Sequence, residues 1–263
     1  MTYHQTSSAD SKHKEKIAHA IEAYRKRTGF NEFVPCAALI DMDGTLLDSM
    51  KGHAKSWHRL ISGLGIACTP EEFYLYEGMT GTETINMLFK RAFGREATMQ
   101  ERTELYARKT GYFNELPKVP IVAGADRMVS TLISHGIERV LVTGSGQLSS
   151  LERLKTDFPG GFADNMRITS HNVTHCKPHP EPYLKAMELA GVEPWQSIGV
   201  ENAPLGVESA SRAGAFTVAV TTGPIPAERM WEAGADLVCP SMEVFADQLP
   251  ELLAYNSKII RLQ

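Results

Sequence analysis

Two carboxylates, Asp41 and Asp43, flank a single residue at the end of the short apolar run CAALI and are followed by Gly44 and Thr45. Side chains alternate along an extended chain, so two aspartates at this spacing can point to the same side. That permits divided labour: Asp41 attacks phosphorus as a carboxylate nucleophile, while Asp43 protonates the departing oxygen and then activates water. A lone Asp-x-Asp would be an ordinary pair of acidic turn residues. Here Thr143-Gly144-Ser145 follows RVLV, Lys177 stands in HCKPHPEPY, and Glu201-Asn202 follows SIGV. Carboxylates, hydroxyls and one ammonium in that order point to a magnesium-assisted phosphoryl site. Thr143 and Ser145, with the amides of the VTGSGQ turn, can donate to a phosphate near a helix expected to open at Gln147. The same residues also serve as an ordinary βα turn with an N-cap. Lys177 precedes Pro178 and is expected on a solvent-exposed turn, where its ammonium neutralises Asp41 and the phosphoryl oxygens.

These residues need strands to carry them. The runs at 36–40, 139–143, 197–200, 216–220 and 236–239 are each of strand length, with helical patterns between them. Such βα alternation predicts an α/β fold with a Rossmann-like parallel sheet covered on both faces, whose ligands sit beyond the carboxyl ends of the strands. About 97 residues separate the first two runs, far more than one crossover helix requires. Within them Trp57, Leu60, Ile61 and Leu64 recur at helical spacing, and further helical patterns cover 83–93 and 99–113. A small all-helical cap domain is therefore expected at 54–118, re-entering through the Pro-rich and Gly-containing stretch 117–124. The remaining core comprises 37–53 and 119–263. Residues 1–36 read as an extension, disordered over the first ten residues and then helical, with Ile17, Ile21 and Tyr24 on one stripe. That helix either lies on the core or offers a partner- or membrane-binding face.

Composition limits the partners. The 263 residues contain 27 Lys plus Arg against 31 Asp plus Glu, a formal net charge of −4, so no bulk positive field favours nucleic acid. A hydrophobic fraction of 43% and a charged fraction of 22% fit a folded globular chain. Cys36, Cys68, Cys176 and Cys239 lie far apart with no CxxC pair, which fits a reducing cytoplasm. Apolar runs are far shorter than the roughly 20 residues that span a bilayer, and the polar N-terminus offers no secretory core. Neither a membrane segment nor export is expected, and a monomer is the default.

With DMDGTLLDS, VLVTGSG, CKPHPEPYLKA and IGVENAPLGVESASRAG in sequence, the chain resembles the haloacid dehalogenase (HAD) superfamily over residues 37 to about 250. The resemblance implies a cap inserted after the first motif, as in the β-phosphoglucomutase-like subgroup, and a phospho-aspartyl intermediate on Asp41. It also implies Mg²⁺ held by Asp41, the backbone carbonyl of Asp43, and the pair Glu201-Asn202. Members of this subgroup usually carry two acidic residues at that pair, so one negative charge is missing here. Glu77, in YEGMTG, stands where sugar-phosphate mutases carry a basic residue. An acidic group facing a phosphate dianion is repulsive unless a cation lies between them, so Glu77 is expected to bind metal.

Together with SMKGHAKSWH, these features resemble the bacterial HAD-type inorganic pyrophosphatases. There the residues matching Glu77 and Tyr106 narrow the pocket, and those matching His53 and Lys109 could contact the distal phosphate. Taken alone, His53 and Lys109 read equally as a hinge histidine and a solvated helix lysine. The resemblance implies a small phosphorylated substrate, pyrophosphate first. A sugar-phosphate or phosphoglycolate-type phosphatase, a β-phosphoglucomutase and a catalytically silent binding module are the alternatives.

Overall fold

The computed structural model describes residues 8–146 and 148–259, with side chains described from residue 13 and excepting 148–151 and those beyond 255. Six parallel strands form one sheet in the order β3-β2-β1-β4-β5-β6. They are β1 (Ala37–Ile40), β2 (Glu138–Val142), β3 (Arg167–Ile168), β4 (Ser197–Glu201), β5 (Phe216–Val220) and β6 (Leu237–Cys239). β1 lies in register with β2 on one side and β4 on the other. Chain order reverses across β1 and β4, which makes their carboxyl ends the switch point where a crevice opens.

The strands read as continuous apolar runs because both faces are covered. Ala38 and Ile40 join one apolar cluster with Phe216, Val218 and Val220, while Ala37 and Leu39 join another with Tyr183 and Met187. That two-residue period assigns alternate side chains to opposite layers. Five of the strands coincide with the apolar runs. β3 is the exception, since a two-residue strand leaves no periodic pattern to detect; it is held by its pairing with Leu141 and Val142 and by burial of Ile168 against Tyr183 and Met187.

Helix α1 (Ser8–Thr28) lies on the sheet layer. Ile17, Ile21 and Tyr24 are buried in the larger cluster, and the Tyr24 hydroxyl donates to the Gly214 carbonyl at 2.8 Å. Arg27 holds Asp236 through two nitrogens, with Nη2 at 2.8 Å from Oδ2 and Nε at 3.1 Å from Oδ1. Of the first ten residues, expected to be disordered, 1–7 lie outside the described residues and 8–10 begin α1.

After β1 the chain forms α2 (Met50–Ser62), a 3₁₀ turn at Glu71–Tyr74, α3 (Gly81–Phe93) and α4 (Met99–Asn114). The Thr80 hydroxyl accepts from Glu83 N to start α3, and a reciprocal Thr98–Glu101 capping box starts α4. These helices bury an apolar cluster of their own, with Trp57, Leu60, Ile61, Phe73, Ile85 and Leu88. The outgoing and returning connections run side by side: Leu47 bridges Ile121, Asp48 N donates to the Pro120 carbonyl at 2.9 Å, and Val122 N donates to the Leu46 carbonyl at 2.9 Å. The returning linker 117–124 is therefore paired with the outgoing chain at positions 120–122.

The sheet is completed by α5 (Ala125–Ser134), α6 (Leu148–Asp157), α7 (Glu181–Ala190), α8 (Pro204–Arg212), α9 (Ala227–Glu232) and α10 (Met242–Ile259). Among the described residues, no helix is long and apolar enough to cross a membrane.

Candidate active site

Asp41 follows the last residue of β1, and its amide still donates to the Val200 carbonyl of β4, so the sheet itself fixes its backbone. Its Oδ1 accepts from Lys177 Nζ at 2.7 Å. Lys177 also donates to Glu201 Oε1 at 2.5 Å and to the Val142 carbonyl at 3.0 Å. The lysine thus joins the ends of β1, β2 and β4. It is 1% exposed, so the solvent-exposed turn expected for Lys177 is wrong. Proline 178 does set a turn, but that turn aims the side chain inward, where two carboxylates and a carbonyl satisfy all three ammonium donors.

Burial is the first cause of the perturbed acidities here. It pushes the Asp41 carboxyl up to about 8, aided by the Glu201 charge and opposed by Lys177. Asp41 Oδ2 is buried without a hydrogen-bond partner. A buried, unpaired carboxylate oxygen is costly unless a cation or donor meets it. Glu201 is also held by Tyr183, whose hydroxyl donates to Oε1 at 2.7 Å, a partner the sequence reading missed. Tyr183 lies four residues beyond His179, and no local pattern marks a tyrosine as aimed at a distant glutamate.

Glu77 comes from the helical segment and reaches this cluster. Asn202 Nδ2 donates to Glu77 Oε1 at 2.7 Å, while Asn202 Oδ1 accepts from the Thr45 hydroxyl at 3.1 Å. Burial and then the Asp41 charge hold the Glu77 carboxyl well above its ordinary range, partly offset by the Asn202 hydrogen bond. Glu77, Asp41, Glu201 and Asn202 thus form a dense oxygen-rich set with Lys177 as the cation in contact with two of them. Mg²⁺ prefers such hard oxygen donors, so the donor set and the orphaned Asp41 oxygen fit that ion.

Asp43 is held on the other side of Asp41. Its Oδ1 accepts from the Ser49 hydroxyl at 2.6 Å and lies 3.0 Å from His53 Nε2. Lys109 Nζ lies 2.5 Å from His53 Nδ1. With the imidazole proton on Nε2, both contacts are satisfied: Lys109 donates to Nδ1 and His53 donates to Asp43. Burial raises the Asp43 pKa, but the imidazole and hydrogen bond of His53, the Ser49 hydroxyl and the nearby Lys109 outweigh it and leave the carboxyl below its ordinary value. Lys109 is not a solvated helix lysine. It is 2% exposed, with Nζ 5.3 Å from the centres of the Trp57 and Phe113 rings, and burial lowers its pKa to about 7.

Asp41, Asp43, His53, Glu77, Tyr106, Lys109, Thr143, Gly144 and Ser145 line one cavity of about 70 Å³. Lys177, Glu201 and Asn202 are bound to its walls through Asp41 and Glu77. The structure therefore brings together all twelve residues selected from sequence. The Thr143 hydroxyl accepts from Ser145 N at 3.0 Å, which shapes the turn after β2. Gly144 permits the closure: a Cβ there would stand 2.9 Å from the Gly78 carbonyl oxygen and 3.0 Å from that of Met79. The Glu77 loop rests against the β2 turn through this close backbone approach.

A Rossmann-like parallel sheet with paired aspartates at its switch point, a buried lysine bridging three strand ends and a helical insertion after β1 define a HAD-like hydrolase. The family described as haloacid dehalogenase-like hydrolase matches residues 38–220, and the chain belongs to it. Among curated relatives, Hexitol phosphatase A of Escherichia coli (strain K12) is 32% identical, over 78% of this chain and 90% of that protein. The "Putative pyrophosphatase PpaX" of Clostridium perfringens is 29% identical, over 76% of this chain and 90% of that one. Among solved structures, the "Putative beta-phosphoglucomutase from Bacteroides vulgatus" superposes with a TM-score of 0.88 at 39% identity, covering 92% of this chain and 98% of its own.

Proposed function

We propose that this HAD-type phosphatase is a Mg²⁺-dependent inorganic pyrophosphatase working through a phosphoryl group carried on Asp41. The observation that carries the substrate choice is the small cavity of about 70 Å³, walled by Glu77 and Tyr106. Pockets for drug-sized ligands are roughly 300–1,000 Å³. Pyrophosphate is compact, carries its own charge and needs no apolar recognition, whereas a hexose phosphate needs room and several hydroxyl partners. The Clostridium relative described as a pyrophosphatase supports the same choice. Hexitol Phosphatase A supports a second reading, a small polyol or sugar phosphate.

In this mechanism an Asp41 oxygen forms a bond to phosphorus as the bridging P–O bond breaks, and the departing phosphate leaves as a stabilised anion, so the ionised Asp43 supplies no proton in this step. Asp43 then removes a proton from water as the water oxygen attacks phosphorus and the Asp41–phosphorus bond breaks, which releases the second phosphate and restores the Asp41 carboxylate, and the proton passes to solvent. His53 and Ser49 orient Asp43, and Lys109 holds His53 in the required tautomer. Lys177 neutralises charge on Asp41, and the Thr143–Ser145 turn supplies donors for phosphoryl oxygens. Asp41, the Asp43 carbonyl, Asn202, Glu201 and Glu77 are the residues that would hold Mg²⁺, which supplies the positive charge that offsets crowded phosphoryl and carboxylate oxygens.

Phosphate release over a panel of pyrophosphate, hexose phosphates, hexitol phosphates, glycolate phosphate and nucleotides with Mg²⁺ tests the substrate. The highest kcat/KM is expected for pyrophosphate; faster turnover of a sugar or hexitol phosphate would move the assignment to the second reading. Glu77→Gln is expected to raise the Mg²⁺ concentration for half-maximal activity by roughly tenfold or more, the change produced by about 1.4 kcal/mol of lost charge attraction. A Mg²⁺ titration matching that of the unaltered protein, with unchanged substrate preference, would remove Glu77 from the metal site.

A further inference from the structure

Outside the cavity, a second group of metal-ligating side chains stands at the entrance to α7. His175, His179 and Glu181 each offer a ligand atom, and these atoms all lie within 4.8 Å of one another. His175 Nδ1 is already 3.1 Å from Glu181 Oε2, and the two imidazole rings have centroids 4.6 Å apart. Bonds of about 2.0–2.2 Å to zinc place neighbouring ligand atoms roughly 3.3 Å apart in a tetrahedral site, so only small side-chain rotations are required. Both histidines are exposed, so each ring has a solvent side toward which it can turn.

The carboxylate is fixed in advance. Glu181 Oε1 accepts from Thr174 N and Lys185 Nζ, both at 2.9 Å, and Oε2 accepts from His175 N at 2.8 Å. The Thr174 amide and then Lys185 lower the Glu181 pKa to about 2, so the group is ionised at neutral pH. His179 Nδ1 accepts from Glu181 N at 3.1 Å, a contact that can be exchanged for a bond to metal. These partners orient the ligands in the way that outer hydrogen bonds support metal sites.

We propose that His175, His179 and Glu181 bind a borderline transition-metal cation of the Zn²⁺ class, separate from the oxygen-rich site that suits Mg²⁺. Two imidazoles and one carboxylate make a zinc donor set with a fourth position open to water. Mg²⁺ is poorly served by imidazole, so the two sites differ in ligand chemistry. Lys177 and Pro178 lie between the two histidines in sequence, so the ion clasps the loop that delivers Lys177 to Asp41.

The test uses the full chain in excess Mg²⁺, which occupies the oxygen-rich site. Zn²⁺ is measured by competition with a chromophoric chelator, and Co²⁺ by the visible bands of a tetrahedral ion. One Zn²⁺ per chain is expected, with affinity falling at least tenfold in H175A/H179A and the Co²⁺ bands lost. Glu181→Gln, which keeps an oxygen for the Thr174 amide, is expected to weaken binding without unfolding the loop, with folding followed by circular dichroism. No stoichiometric Zn²⁺ in the unaltered chain, or equal affinity in the double-histidine variant, overturns the proposal. Neither readout depends on turnover, so failure of the pyrophosphatase reading would leave this result intact.

Discussion

Asp41→Asn is expected to lower phosphate release at least about 10³-fold, roughly 4 kcal/mol in the barrier, while leaving the protein folded. An amide cannot serve as the attacking oxygen, but it is nearly isosteric and keeps an acceptor for Lys177 Nζ, now 2.7 Å away. Burial and the neighbouring Glu201 push the Asp41 carboxyl up to about 8, above its unfolded value. A carboxyl raised in the folded state favours folding less as pH rises from its unfolded pKa through its folded one, and removing its charge relieves that penalty at neutral pH. The melting temperature of the variant should therefore equal or exceed that of the unaltered chain. Activity within tenfold of normal would exclude the covalent route, and a lower melting temperature would contradict the charge argument. Rapid acid quenching with labelled substrate should place the label on Asp41.

Lys177→Met should show the opposite pattern, losing stability together with activity. The side chains are similar in length and volume, so the change removes chiefly a charge. Asp41 and Glu201 then face each other in the interior with no cation between them, and the Val142 carbonyl loses its donor. Breaking a buried ion pair from one side costs about 3–5 kcal/mol, which for a chain of this size lowers the melting temperature by on the order of 10 °C. Thermal unfolding in metal-free buffer measures this directly. A loss below about 1 kcal/mol would mean that the lysine is not the main counter-charge of the cluster.

Placement of the site residues was legible to unequal degrees. Asp41, Asp43, Thr143, Glu201 and Asn202 end or follow strands whose continuous apolar runs are hard to mistake, so their convergence at the carboxyl ends of adjacent strands follows from parallel topology. Lys177 was assigned to the right site and the wrong environment. Its turn is visible in Pro178, but the direction of the side chain depends on Asp41 and Glu201, far away in sequence. His53 and Lys109 left two readings open, because a histidine and a lysine 56 residues apart carry no local sign of the 2.5 Å contact between them. Ser49 and Tyr183 were not selected, since hydroxyls are common in turns and helices and only their partners distinguish them.

What the linear order of residues determined is the α/β alternation, the helical insertion after β1 and the chemical types available at each strand end. These follow from periodicity and from residue type, both of which act over a few neighbouring positions. The three-dimensional arrangement alone decided that Glu77 meets Asn202, that Lys109 is stripped of water and that Gly144 admits the Gly78 carbonyl. Each is a contact between segments brought together by burial of separate apolar clusters, and desolvation and electrostatic coupling depend on distance in space, which residue spacing along the chain does not encode.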